Sequence, residues 1–175
     1  GCVFGVRDSV GAWSFTLQVT SNDTTDPSYT IAVDGSAAPG GEIELQRPAL
    51  SPIANGGSDN VAGTVAGATT QVTYTIENTG TGDLTITGTG TSGALNNVGV
   101  IIGTVGSTVL STSGAGSITT FTVDITPTAL GAWSFTLQVT SNDTTDPSYT
   151  INVSDTAVPG GEIHVERPVS TNIFD

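Results

Sequence analysis

From Trp13 to Thr20 apolar and polar residues alternate one for one, Trp13, Phe15, Leu17 and Val19 against Ser14, Thr16, Gln18 and Thr20. A period of two predicts a strand with one buried face. Ser21 to Pro27 consists of Ser, Asn, Asp, Thr and Pro, the chemistry of a turn, and Tyr29, Ile31 and Val33 then resume the alternation. The two runs predict a hairpin of long strands. The same rule turns Ile43 and Leu45 inward and Glu44 and Gln46 outward. Ser51 to Asn60 reads as a loop anchored by Ile53. Val72, Tyr74 and Ile76 predict a strand, and the turn from Asn78 to Asp83 predicts a second hairpin with Leu84 and Ile86. Ala94 to Leu110 is apolar but rich in Gly, which blurs its strand boundaries. Phe121, Val123 and Ile125 then lead to Trp133, Phe135, Leu137, Val139, Tyr149, Ile151 and Val153, completing the inward set. Seven or so strands without a helical stretch make a β-sandwich the expected fold.

Laid over itself, the chain repeats. Gly11 to Ile31 returns letter for letter as Gly131 to Ile151, and Pro39 to Ile43 returns as Pro159 to Ile163, at a constant offset of 120 residues. A fixed period predicts a repeat array. The expected division is residues 1–40 as the last strands of one repeat, 41–160 as a complete repeat, and 161–175 as the first strand of a third. Pro39, Gly40 and Gly41 suit a short joint between repeats. The second copy also tests the strand after the joint: Ile43 and Leu45 become Ile163 and Val165, whereas Glu44 and Gln46 become His164 and Glu166. Apolar character is kept at the inward positions, and polar types vary at the outward ones.

Composition narrows the partners. Sixteen Asp and Glu oppose Arg7, Arg47 and Arg167, there is no Lys, and the formal net charge is −13. Phosphate binding requires cations, so nucleic acid is excluded as a partner. The acidic surface suits solubility or a divalent cation. Cys2 is the single cysteine, so stability comes from packing and not from an intrachain disulfide. No run of about 20 apolar residues exists, so no membrane-spanning helix is expected.

The motifs also fall in a recognisable order. Tyr74-Thr75-Ile76-Glu77-Asn78-Thr79-Gly80, Leu84-Thr85-Ile86, Phe121-Thr122-Val123 with Pro127 and Gly131, and Ser141-Asn142-Asp143 with Pro147 and Tyr149 resemble the Hydin-type (ASH) immunoglobulin-like repeats. Among these they are most similar to the bacterial choice-of-anchor D domains. Glu42 to Pro48 and Ile53 to Asn60 resemble the same family. The resemblance covers about residues 42 to 158. It implies an immunoglobulin-like β-sandwich acting as a spacer in a large secreted or surface-attached bacterial protein, with no shared catalytic residues.

Chemistry-bearing residues are few. His164, the single histidine, stands where the other copy has Glu44, an outward position. It is read as a surface residue, and no catalytic group is expected. Asp23 and Asp26, and their copies Asp143 and Asp146, stand in oxygen-rich turns that suit calcium. The other reading is that these side chains bond neighbouring backbone N–H groups and fix the turn. Asn22, Asn142 and Asn152 head N-glycosylation sequons.

Last comes the leading hairpin. Burying a large apolar side chain is worth about 1.5 to 3 kcal/mol, and an isolated hairpin is marginal in water. Trp13, Phe15, Leu17, Val19, Tyr29 and Ile31 are therefore expected to meet a cover, either neighbouring repeats of a longer array or another copy of the chain that accepts the hairpin. Both point to a non-enzymatic structural protein of an extracellular filament, sheath or stalk. The alternative is an adhesin or carbohydrate binder, with calcium in the Asp-rich turns and glycans as partners.

Overall fold

The computed structural model describes residues 10–161. Cys2, Arg7, His164, Arg167 and the predicted strand of a third repeat lie outside the described residues. Within them the chain is all-β, with a single four-residue 3-10 turn at Gly114–Ser117.

Two antiparallel strands come first, β1 (Gly11–Thr20) and β2 (Ser28–Ala37), in a two-stranded sheet of their own. A sandwich of two five-stranded sheets follows. One sheet holds β4 (Pro52–Ile53), β3 (Ile43–Gln46), β6 (Thr70–Asn78), β10 (Ile118–Pro127) and β8 (Val98–Ile102), in that spatial order. The other holds β5 (Gly57–Asn60), β12 (Ser148–Ala157), β11 (Gly131–Ser141), β7 (Leu84–Asn96) and β9 (Val109–Leu110). Successive strands change sheets repeatedly, the immunoglobulin-like way of closing one core between two layers.

Every residue assigned inward within the sandwich is buried, from Ile43 and Leu45 through Trp133 and Phe135 to Val153. Val61, Val98, Leu110 and Ala157 join them, and Ile53 packs partly buried against the cluster. Tyr74 and Phe121 are cross-strand partners with stacked rings 5.7 Å apart.

Four expectations are corrected. β6 and β7 are consecutive but stand in opposite sheets, so the turn at Asn78 to Asp83 is a crossing and not a hairpin. Asn78 holds that crossing: its Oδ1 accepts the N–H groups of Glu42 and Gly80, and its Nδ2 donates to the carbonyls of Gly82, Leu110 and Ser111. The return strand does not end near Ile86 but runs on to Asn96. The segment Ser51 to Asn60 contributes β4 and β5, the latter pairing parallel with β12 through backbone bonds that demand no apolar pattern. Gln46 is not outward but buried. Its Nε2 donates to Glu44 and Glu77 and its Oε1 accepts the Leu50 N–H, so a polar network replaces exposure to water.

The segment leading into β3 is fastened to the sandwich. The Gly40 carbonyl accepts the N–H groups of Thr81 and Gly82. A β-carbon at Gly80 would lie 2.4 Å from the Gly40 oxygen, so glycine is required for this approach.

Candidate functional site

The two identical stretches adopt the same local structure. β1 pairs with β2 from Gly11↔Ala37 to Thr20↔Ser28, and β11 pairs with β12 from Gly131↔Ala157 to Thr140↔Ser148, the same register throughout. Each first strand opens on a glycine at positive φ, 120° at Gly11 and 98° at Gly131, a conformation that favours glycine over any side chain. The stacked indole and phenyl rings are 6.1 Å apart in Trp13–Phe15 and 6.2 Å apart in Trp133–Phe135. Gln18 Nε2 donates to Ser28 Oγ and Gln138 Nε2 to Ser148 Oγ, each at 2.7 Å.

The hairpins differ in what covers them. Trp133, Leu137, Val139 and Ile151 are at most 2% exposed. Their copies Trp13, Val19 and Ile31 are 38%, 51% and 41% exposed, and Tyr29 reaches 66%. Phe15 is 43% exposed and Leu17 is half-buried. In the sandwich β11 pairs on its outer edge with β7 and β12 with β5. Among the described residues no strand pairs with the outer edges of β1 and β2. The cover expected for this apolar face is therefore absent from the described residues, and the face with its two edges is the candidate interaction surface.

The Asp-rich turns are built by self-bonding. Asp143 Oδ1 accepts the Thr145 N–H at 2.8 Å, the Thr145 hydroxyl at 2.7 Å and the Asp146 N–H at 3.1 Å. Asp143 Oδ2 accepts the N–H of Ile43 at 2.9 Å, tying the hairpin turn to the opposite sheet. Burial pushes this carboxyl up, but the bonds from Ile43, Thr145 and Asp146 together hold it below the usual carboxylate range. Asp23 Oδ1 repeats the three local bonds, to the Thr25 N–H, the Thr25 hydroxyl and the Asp26 N–H. The Thr25 hydroxyl and these N–H groups lower its pKa as well. Asp146 accepts from Asn55 Nδ2 at 2.6 Å. Among the described residues no three His, Cys, Asp or Glu groups are arranged to hold a metal ion. The geometry is that of turns fixed by Asp side chains.

Of the sequon residues, Asn142 donates from Nδ2 to the Asp83 carbonyl and accepts the Thr85 N–H, and Asn152 donates to the Gly56 carbonyl. Asn22 lies exposed in the first turn.

Two polar networks escaped sequence reasoning. Asp59 accepts from Arg47 Nε, from Arg47 Nη2 at 2.5 Å and from the Tyr74 hydroxyl at 2.6 Å. Burial pushes the Tyr74 phenol far up, its bond to Asp59 adds to this, and it stays a neutral donor. At the far end of β11, Trp133 Nε1 donates to Thr64 Oγ1 at 2.9 Å, and Thr64 Oγ1 donates to Asp155 Oδ2 at 2.7 Å. Beside this network an open cleft of about 450 Å³ is lined by Asn60, Asn96, Ser134, Asp155 and Thr156. The copy of Asp155 is Gly35, and the indole of Trp13 leans over it, 2.3 Å from where a β-carbon would stand.

No family model matches the chain, and no curated protein matches it. Solved structures do. A protein of unknown function from Porphyromonas gingivalis is 19% identical with a TM-score of 0.49, over 85% of this chain and 66% of that one. An ASH/PapD-like domain of human CEP192 is 14% identical with a TM-score of 0.45, over 73% of this chain and 92% of that one. Surface layer protein SbsC is 16% identical with a TM-score of 0.36, over 87% of this chain and 20% of that one.

Proposed function

We propose that this chain is a structural repeat of a secreted or surface-anchored bacterial filament, sheath or stalk, in which units of about 120 residues join end to end. The observation that carries the reading is the duplicated hairpin, one copy sealed in a sandwich and the other with Trp13, Val19, Tyr29 and Ile31 exposed. The resemblance to Hydin-type (ASH) repeats of the choice-of-anchor D type supports it, as does a net charge of −13, which suits a surface that must not collapse on its neighbours. The bare hairpin is completed by a neighbouring repeat of the same chain or by another subunit, and in both cases the assembly grows in a line.

Electron microscopy of the native protein tests this. Fibres or stalks with a regular beaded repeat are expected, and dispersed globular particles would overturn the reading. A second reading is an adhesin. It is favoured by the open cleft, whose amides, hydroxyls and carboxylate are the groups that bond sugars. Glycan binding lost on chelation would favour the adhesin, with the Asp-rich turns as the calcium sites.

A further inference from the structure

We propose that the exposed face of β1–β2 docks onto the Glu42–Pro127 half-sandwich of an adjoining repeat, in the pose that β11–β12 takes on its own half-sandwich. The inference rests on the array reading and names the partner of the bare hairpin.

Three observations choose this occupant. Trp13, Leu17, Val19 and Ile31 repeat the residues of a face whose cover is visible: Trp133, Leu137, Val139 and Ile151 are sealed by the sheet carrying Leu45, Tyr74, Ile76 and Val123. The other copy already has the same strand register, ring spacing and Gln–Ser bond. Docking has chiefly to reorient the Trp13 indole, which leans over Gly35 where Trp133 faces Asp155, so most of the ordering of the hairpin is done beforehand. Finally, the turn carries a matching carboxylate. Asp23 repeats the three Oδ1 bonds of Asp143, while the Oδ2 bond that Asp143 makes to the Ile43 N–H has no counterpart among the described residues. An adjoining half-sandwich brings that N–H and fixes the register of docking.

The two hairpins diverge where specificity is expected. Identity ends at Ile31, and the changed residues Ala32 and Gly35 replace Asn152 and Asp155. Those two side chains meet the carbonyl of Gly56 and the hydroxyl of Thr64 in the intact sandwich. The shared face thus supplies attraction, and the edge tells one slot from another.

The test lengthens the chain by placing a second Gly41–Leu130 segment directly before Gly11, which reproduces the natural Leu130–Gly131 junction. The added segment contains no tryptophan, so Trp13 and Trp133 stay the two indoles. In the original chain acrylamide reaches Trp13 and spares Trp133. In the lengthened chain the quenchable half of the emission is expected to be lost, and amide exchange of Gly11–Thr20 slows to match Gly131–Ser141. Ile31→Asp in the lengthened chain restores quenching of Trp13 while β11 keeps its protected amides, which separates lost docking from a failed fold. Quenching of Trp13 equal to that in the original chain overturns the proposal. So does protection of Trp13 in the original chain as its concentration rises, because the occupant is then a second bare hairpin. Fibres in micrographs together with a quenchable Trp13 in the lengthened chain leave the array reading standing and remove this one. The reverse pair of results does the opposite.

Discussion

Asp143 holds four donors with two oxygens, and one of them, the N–H of Ile43, belongs to the opposite sheet. Asp143→Ala leaves that buried N–H without a partner, so a loss of about 1 to 3 kcal/mol is expected in urea unfolding. Asp23→Ala, which breaks only local bonds in an exposed turn, leaves the same transition in place. The pH dependence has a definite sign. A carboxyl whose folded pKa lies below its ordinary value of 3.8 adds stability that is complete above that value and is lost as pH falls through the folded pKa. Asp143→Asn removes this acid-range slope. Neighbouring Glu42 acts in the opposite direction: burial and the charges of Asp143 and Asp146 raise its pKa above 4.5, so its contribution improves as pH falls. Arg47 is the other critical residue, the one cation set against Asp59 within the described chain. Arg47→Leu strands a buried carboxylate that also accepts from Tyr74, and a loss of about 3 kcal/mol is expected in the same assay.

Strands with identical sequence respond differently because their surroundings differ. Val139→Asp places an unpaired charge in a sealed core and is expected to remove the cooperative melt followed by circular dichroism, a penalty of about 3 kcal/mol or more. Val19→Asp, the same change on the half-exposed copy, leaves that melt unaltered. Such contrasts mark how far the pattern of residues carries. Alternation names the face of each strand, and every inward residue assigned in the sandwich is buried, from Ile43 to Val153. Alternation is silent on which strand lies beside which, and so the crossing at Asn78 read as a hairpin. It is silent too on strands held by backbone alone, such as Gly57–Asn60, and on the long Gly- and Thr-rich run of β7. Gln46 misled for another reason: its outward position is roofed by the Leu50 backbone and flanked by two glutamates, partners that one strand's periodicity cannot report. The Asp turns were legible as turn chemistry. Their reach to Ile43, about a hundred residues away, was not.

In the molecule as a whole the chain enters the sandwich through Gly40, clamped by Thr81 and Gly82, and leaves past Val158, whose N–H donates to the Thr64 carbonyl and whose carbonyl accepts from Ala66. Between these two fastenings lies the parallel pairing of β5 with β12, from Gly57↔Ile151 to Asn60↔Ser154. A lengthwise pull reaches β5 from its N-terminal side and β12 from its C-terminal side. Because the two strands run the same way, that pull slides one along the other, and the rungs between them share the load and yield together. An antiparallel pair gripped at one end would peel open a rung at a time. The short polar strand that hydropathy passes over thus forms, with β12, a contact loaded in shear along the path from the chain's entry to its exit, reached once β3 has given way from β6.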